Sequence, residues 1–220
     1  MRVPFSIALV FLATVLLLPG SAMASSPREA VDAYIGDVLQ TFRSYSGTDL
    51  QENAEQRKAF KKELSSLAQE VFAYRIMVRM SLGRYWADFS EEQQDKMVDL
   101  FVRVIEDNYF SKLVEAMDQV ESYSKDMIRI TGETVFSSRK AEVRSVIRYQ
   151  DKEIPVNYRM LSRSEQGWQV YDIHVEDVSL ISNYRSQFKD LLNRKSPQEV
   201  IERMKQKVEK GEAPDVLETE

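Results

Sequence analysis

The chain has no cysteine, one histidine and seven glycines in 220 residues. Without thiols there are no disulfides, no thiol nucleophile, no cysteine-ligated metal and no lipidated cysteine at a cleavage site. A lone imidazole, His174, leaves no second His or Cys to complete a zinc site or a Ser-His triad. The sparse glycines form no phosphate-cradling loop, and neither HExxH nor GxSxG occurs. A basic excess is also missing: 30 Lys and Arg stand against 35 Asp and Glu, so no electrostatic footprint for nucleic acid is expected. His174 sits between Asp172 and Glu176 at i−2 and i+2, on one face of a strand, and reads as a partly exposed strand residue. A small hydrolase using His174 with Asp172 is the weaker alternative. The acidic pairs Glu91-Glu92 and Glu176-Asp177 read as cap and loop charges. No enzyme and no cofactor or metal is called for.

Long apolar runs are limited to one. Arg2 precedes an almost unbroken run from Val3 to Leu18, then Pro19-Gly20 and Ala22-Met23-Ala24. This is the plan of a secretory signal peptide, residues 1–24, with cleavage after Ala24. A spanning anchor asks for ~20 apolar residues, more than this run supplies. Arg2 carries the only charge removed, so the mature chain is one unit more negative than the full-length −5. What remains is long enough for one domain burying roughly 70% of its unfolded surface. The expected product is exported and soluble, without stable membrane insertion.

Three capping boxes mark helix starts: Ser26-Pro27-Arg28-Glu29, Ser90-Glu91-Glu92-Gln93 and Ser196-Pro197-Gln198-Glu199. The first opens a helix ending near Tyr45 to Gly47, with Val31, Tyr34, Ile35, Val38, Leu39 and Phe42 on one stripe. Gln51 to Ala68 reads as a helix solvated in its first half, and Val71 to Leu82 as a buried segment stopped by Gly83. A turn of three aromatics, Arg84 to Phe89, leads to the longest helix, ending near Met117. From there the period shortens to that of strands: 127–130, 141–149, 154–161 and 168–175, an antiparallel meander. Glu165-Gln166-Gly167 is a hairpin signal. Alternation puts Val156, Tyr158 and Met160 on one face, and sets Tyr171, Ile173 and Val175 opposite Trp168 and Val170. From Val178 the helical period returns to residue 193, a last helix follows, and 211–220 is an acidic tail expected to be disordered. Helices, sheet, helices makes the class α+β.

A sheet apolar on both faces needs cover on both sides, or a ligand on one. The order Leu82-Gly83, Trp86, Gln93, Phe101, Tyr109, Ile154-Pro155-Val156, Tyr158-Arg159, Gly167-Trp168, Val170-Tyr171-Asp172, Val178-Ser179-Leu180 and Asn183-Tyr184-Arg185 resembles the MlaC, or toluene-tolerance Ttg2D, family of periplasmic phospholipid-binding proteins. The likeness runs from about residue 28 to 208, and WxVYDxxxExVSLIxNYRxxF is its specific part. Two positions depart from the family: Asp177, where Gly is usual, and Ala73, near which an acidic residue is frequent. Asp tolerates positive φ, so the strand-to-helix corner is expected to survive.

The resemblance implies an NTF2-like, cystatin-like curved antiparallel sheet of about four strands, packed with helices around a deep apolar cavity, in one lipid-binding domain over residues 25–210. It implies a monomeric carrier of phospholipid between an outer-membrane lipoprotein-porin complex and the MCE-domain subunit of an inner-membrane ABC transporter, serving outer-membrane lipid asymmetry and solvent tolerance. The acyl chains are expected to touch Tyr85, Trp86, Phe101, Ile105, Tyr109, Ile147, Tyr149, Val156, Tyr158, Met160, Tyr171, Ile173, Val175, Leu180, Ile181 and Tyr184, and Ile147→Asp is expected to abolish retention. Arg159 and Arg185 are candidates for a phosphate or an acidic partner, with exposed ion pairs the commoner use of Arg. A periplasmic interaction module with a filled core is the alternative from another class.

Overall fold

The computed structural model describes residues 26–118, 125–149, 152–163 and 167–210. The expected signal peptide, the tail 211–220, Asp151 of the Asp151-Lys152 hairpin expected between the second and third strands, and Glu165-Gln166 of the last hairpin lie outside the described residues. Six helices are described: α1 Pro27–Ser44, α2 Ala54–Val71, α3 Tyr74–Leu82, α4 Glu91–Asp118, α5 Leu180–Leu192 and α6 Pro197–Lys210. All three capping boxes form. Glu29, Gln93 and Glu199 donate their backbone N–H to the hydroxyls of Ser26, Ser90 and Ser196, at 3.1, 3.3 and 3.4 Å. Each serine N–H returns a bond to the side chain three residues on. Such a cap stabilises a helix by about 1 kcal/mol, because it satisfies donors that the helix leaves orphaned. Asn53 caps α2 in the same way, accepting from Gln56 N–H at 3.0 Å. Gly83 ends α3 with φ +56° and opens a turn of 3-10 helix through Asp88.

Five strands, β1 Ile128–Ser137, β2 Lys140–Tyr149, β3 Lys152–Arg163, β4 Gly167–Val175 and β5 Val178–Ser179, form an open antiparallel sheet in sequence order. The molecule is thus α+β with an NTF2-like arrangement, and three details correct the sequence reading. First, β1 continues past Ile130 to Ser137 through a bulge at Thr131. Just after the bulge the Arg144 guanidinium lies over Gly132, where a Cβ would sit 2.6 Å from Nη2 and the arginine would have to move aside. Second, Val178-Ser179 pairs with Val175 and His174 as a fifth strand, and the helix starts only at Leu180. Third, β3 and β4 slip at Tyr171: Arg159 faces Asp172, whereas Met160 faces Val170. The extra residue reverses the alternation. Trp168 and Val170 therefore share the inner face with Ile173 and Val175, rather than opposing them.

Two cores result. One joins α3, the first half of α4, α5 and α6 around Phe101, Phe188 and Met204. The other presses α1 and Phe60 of α2 onto the inner sheet face at Val143, Met160 and Val170. Full burial of side chains this size stabilises by about 1.5–3 kcal/mol each. Helix α4, about 42 Å long at 1.5 Å per residue, reaches both cores, through Phe101 in the first and Val114 in the second.

Candidate functional site: an apolar cavity under helix α2

Between the two cores lies a cavity of about 540 Å³, within the range of small-molecule and cofactor sites. Its wall comes from six directions. Helix α1 gives Tyr34, Ile35, Val38 and Phe42; α2 gives Leu64, Leu67, Ala68 and Val71, with Phe72 just beyond. Tyr74 and Met77 of α3, Ile105 and Phe110 of α4, and Ile128, Tyr158, Ile173 and Val175 of the sheet complete most of it. Val178, Ser179, Leu180 and Asn183 close it at the β5–α5 corner, and Lys61, Ser65 and Glu106 form a polar patch where α2 meets α4.

The cavity exists because α2 is fastened along its margins and not packed down. Only Phe60 of α2 is buried, and it meets Phe42, Tyr45 and Phe110 at ring distances of 5.8, 5.0 and 5.8 Å. Thr41 donates to Glu63 at 3.0 Å, Ser65 to Glu106 at 2.7 Å, Lys61 pairs with Asp107, and Gln169 donates to the Glu70 carbonyl at 3.0 Å. Leu64, Leu67, Ala68 and Val71 are half-buried. They face space, where a filled core would supply partner atoms.

Three tyrosines of the wall, Tyr34, Tyr74 and Tyr158, have phenols raised above their usual range, Tyr34 by burial first and then by Glu70 and Asp37. Burial raises the Tyr158 phenol above its usual range, against a weaker opposing pull from Ser145, whose Oγ lies 3.5 Å away. Burial, then the negative charge of Glu106, raises Tyr74. The β5–α5 corner is held by Asp172, which is buried. Its Oδ1 accepts from the Ile181 N–H at 3.0 Å, and its Oδ2 from Ser179 Oγ at 2.7 Å, with His174 Nε2 at 3.0 Å. His174 and Ser179 thus meet the same carboxylate oxygen, and the geometry is that of a helix cap. The tight turn before it has positive φ at Glu176 (+50°) and Asp177 (+66°), as a two-residue hairpin between paired strands demands. The usual glycine is thereby replaced by a residue that tolerates the left-handed region. Ala73, the other departure, is buried at the N-terminus of α3 and supplies no side-chain cap.

Of the residues expected to touch lipid, Ile105, Tyr158, Ile173, Val175 and Leu180 lie on the cavity wall. Phe101, Ile181 and Tyr184 belong to the helical core, with Phe101 and Tyr184 edge to face at 4.9 Å. Met160 is packed under α1, and Tyr171, the bulged residue, leans on the helical core. Val156 is buried on the inner sheet face, and Ile147 is half-buried between Ile128 and Ile154, both away from the wall. Tyr85 bonds to Asn193 Oδ1 at 2.6 Å, and Trp86 lies under the Arg75 guanidinium at 5.4 Å, both outside the cavity. The side chains of Tyr109 and Tyr149 lie outside the described residues. Arg159 pairs with Glu142 at 3.0 Å, and Arg185 donates to the Met80 carbonyl at 2.9 Å. Among the described residues no helix is long and apolar enough to cross a membrane, and no three metal-ligating side chains cluster.

Solved structures give a similar fold. The phospholipid-binding protein from Ralstonia solanacearum, solved in complex with a phospholipid, superposes with a TM-score of 0.68 at 20% identity, over 83% of this chain and 96% of that one. No curated protein sequence matches the chain. The family model described as MlaC protein matches residues 38–206, which spans α2 to α5, most of α6, every strand and most of the cavity wall. The chain therefore belongs to the MlaC family.

Proposed function

We propose that this protein is a periplasmic phospholipid carrier, one domain over residues 25–210, that encloses acyl chains in the cavity under α2 and leaves the head group at the rim. The observation that carries the reading is the cavity itself: a half-open apolar volume of about 540 Å³ in a member of this family. The similar fold of a protein solved with phospholipid supports the same ligand class. Each methylene taken from water is worth ~0.8 kcal/mol. Two long acyl chains thus make free diffusion negligible, and release into water equally so. Unloading requires a docked acceptor, for which an outer-membrane lipoprotein-porin complex and the MCE-domain subunit of an inner-membrane ABC transporter are the proposed partners. The acyl contacts proposed are Ile105, Tyr158, Ile173, Val175 and Leu180, joined by Val38, Phe42, Leu64, Leu67 and Phe110. An export signal over residues 1–24 completes the reading.

The test is extraction of labelled phospholipid from donor vesicles by the mature protein. Wild type is expected to withdraw lipid, and Ile173→Asp, which puts a carboxylate on the wall, is expected to lose most of that uptake while keeping its helical circular dichroism. Equal uptake by the folded variant would contradict the assignment.

A further inference from the structure

The cavity wall is apolar except at one place. Lys61 and Glu106 are the only charged side chains on it among the described residues, and with Ser65 they sit together where α2 meets α4. Lys61 reaches across to Asp107 of α4, its ammonium 5.6 Å from the centre of the Phe110 ring. Side-chain exposures of 40% for Lys61 and 34% for Asp107 mean that water reaches the pair. Glu106 is held by the Ser65 hydroxyl at 2.7 Å. An acyl chain laid over these ions would strip their hydration without replacing it, so chains avoid them. The exposed residues of the wall are Val175, Val178 and Asn183, none of them charged.

We infer, on the carrier reading above, that the lipid head group leaves over the Lys61–Glu106 side of the rim, and that this side selects a head group bearing both a phosphate and an ammonium. Lys61 is the group that meets phosphate, in exchange for Asp107. Glu106 is the group that meets the ammonium. With Lys61 turned to the phosphate, Glu106 and Asp107 are two adjacent carboxylates left without it. A head group with an ammonium matches them, and a net-anionic one does not.

The experiment loads the mature protein from vesicles containing equal amounts of phosphatidylethanolamine and phosphatidylglycerol with identical acyl chains, then weighs the bound lipids by mass spectrometry. Wild type is expected to enrich phosphatidylethanolamine about two- to fivefold, the ratio that one partly exposed ion pair sustains. Glu106→Gln, which keeps the bond to Ser65, is expected to bring the ratio towards one. Asp107→Asn, the same unit of charge removed at the exposed end, is expected to lower it as well. Equal loading of the two lipids by wild type, or an undiminished preference in both variants, overturns this inference and leaves the carrier reading standing. Wild type that takes up neither lipid overturns both.

Discussion

Tyr74 and Tyr158 carry phenols in the wall of an apolar cavity, and burial raises both pKa values above the ordinary 10.0. The neutral form is the one the fold favours. Below pH 10 both folded and unfolded chains hold these protons, and the stabilisation is fully present. Above it the unfolded chain ionises first, so stability falls as pH climbs towards the raised folded values. Urea midpoints are expected to hold from pH 7 to 9 and decline beyond about 10. Tyr158→Phe is expected to make that decline shallower, whereas an identical decline in the variant would remove Tyr158 from the account. Little of this was legible in the sequence. Alternation did put Tyr158 on the sheet's inner face, but nothing in the spacing told that the space opposite is empty. Phe101, Met160 and Tyr184 carry the same signals as wall residues and fill ordinary cores. Periodicity reports which side is buried; it does not report against what.

At the scale of elements, helices were legible to within a residue or two wherever a capping box declared them, as at Ser26, Ser90 and Ser196. The sheet was harder. The bulges at Thr131 and Tyr171 leave no mark in composition, because a bulge is set by how two strands settle on each other, and each shifts the pattern by one. The sequence of α2 has few apolar residues before Phe60, which predicts a solvated first half, and that half is exposed; what spacing does not tell is that Leu64, Leu67, Ala68 and Val71 of the second half line a cavity. The β5–α5 corner shows how one residue fixes an element. Asp172 joins β4, β5 and the first turn of α5 through three bonds. Asp172→Asn keeps the shape but weakens charge-assisted bonds, and is expected to cost about 1–3 kcal/mol in urea unfolding. A change within a few tenths of a kcal/mol would show that the corner is held by packing alone.

Seen whole, the molecule is two cores with a gap between them, and α2 spans the gap on contacts made at its margins. A filled-core protein of this size would bring Leu64, Leu67 and Val71 down onto Ile173 and Tyr158. Here they line the cavity instead, at the cost of some of the dispersion contacts that close packing would supply. Acyl chains are the natural occupant, since they restore those contacts and remain removed from water. The most direct measurement is native mass spectrometry of the mature protein purified without detergent, followed by organic extraction and lipid analysis. The account predicts protein carrying near-stoichiometric phospholipid. Folded protein at its bare mass, with no extractable lipid, would contradict it and favour an interaction module.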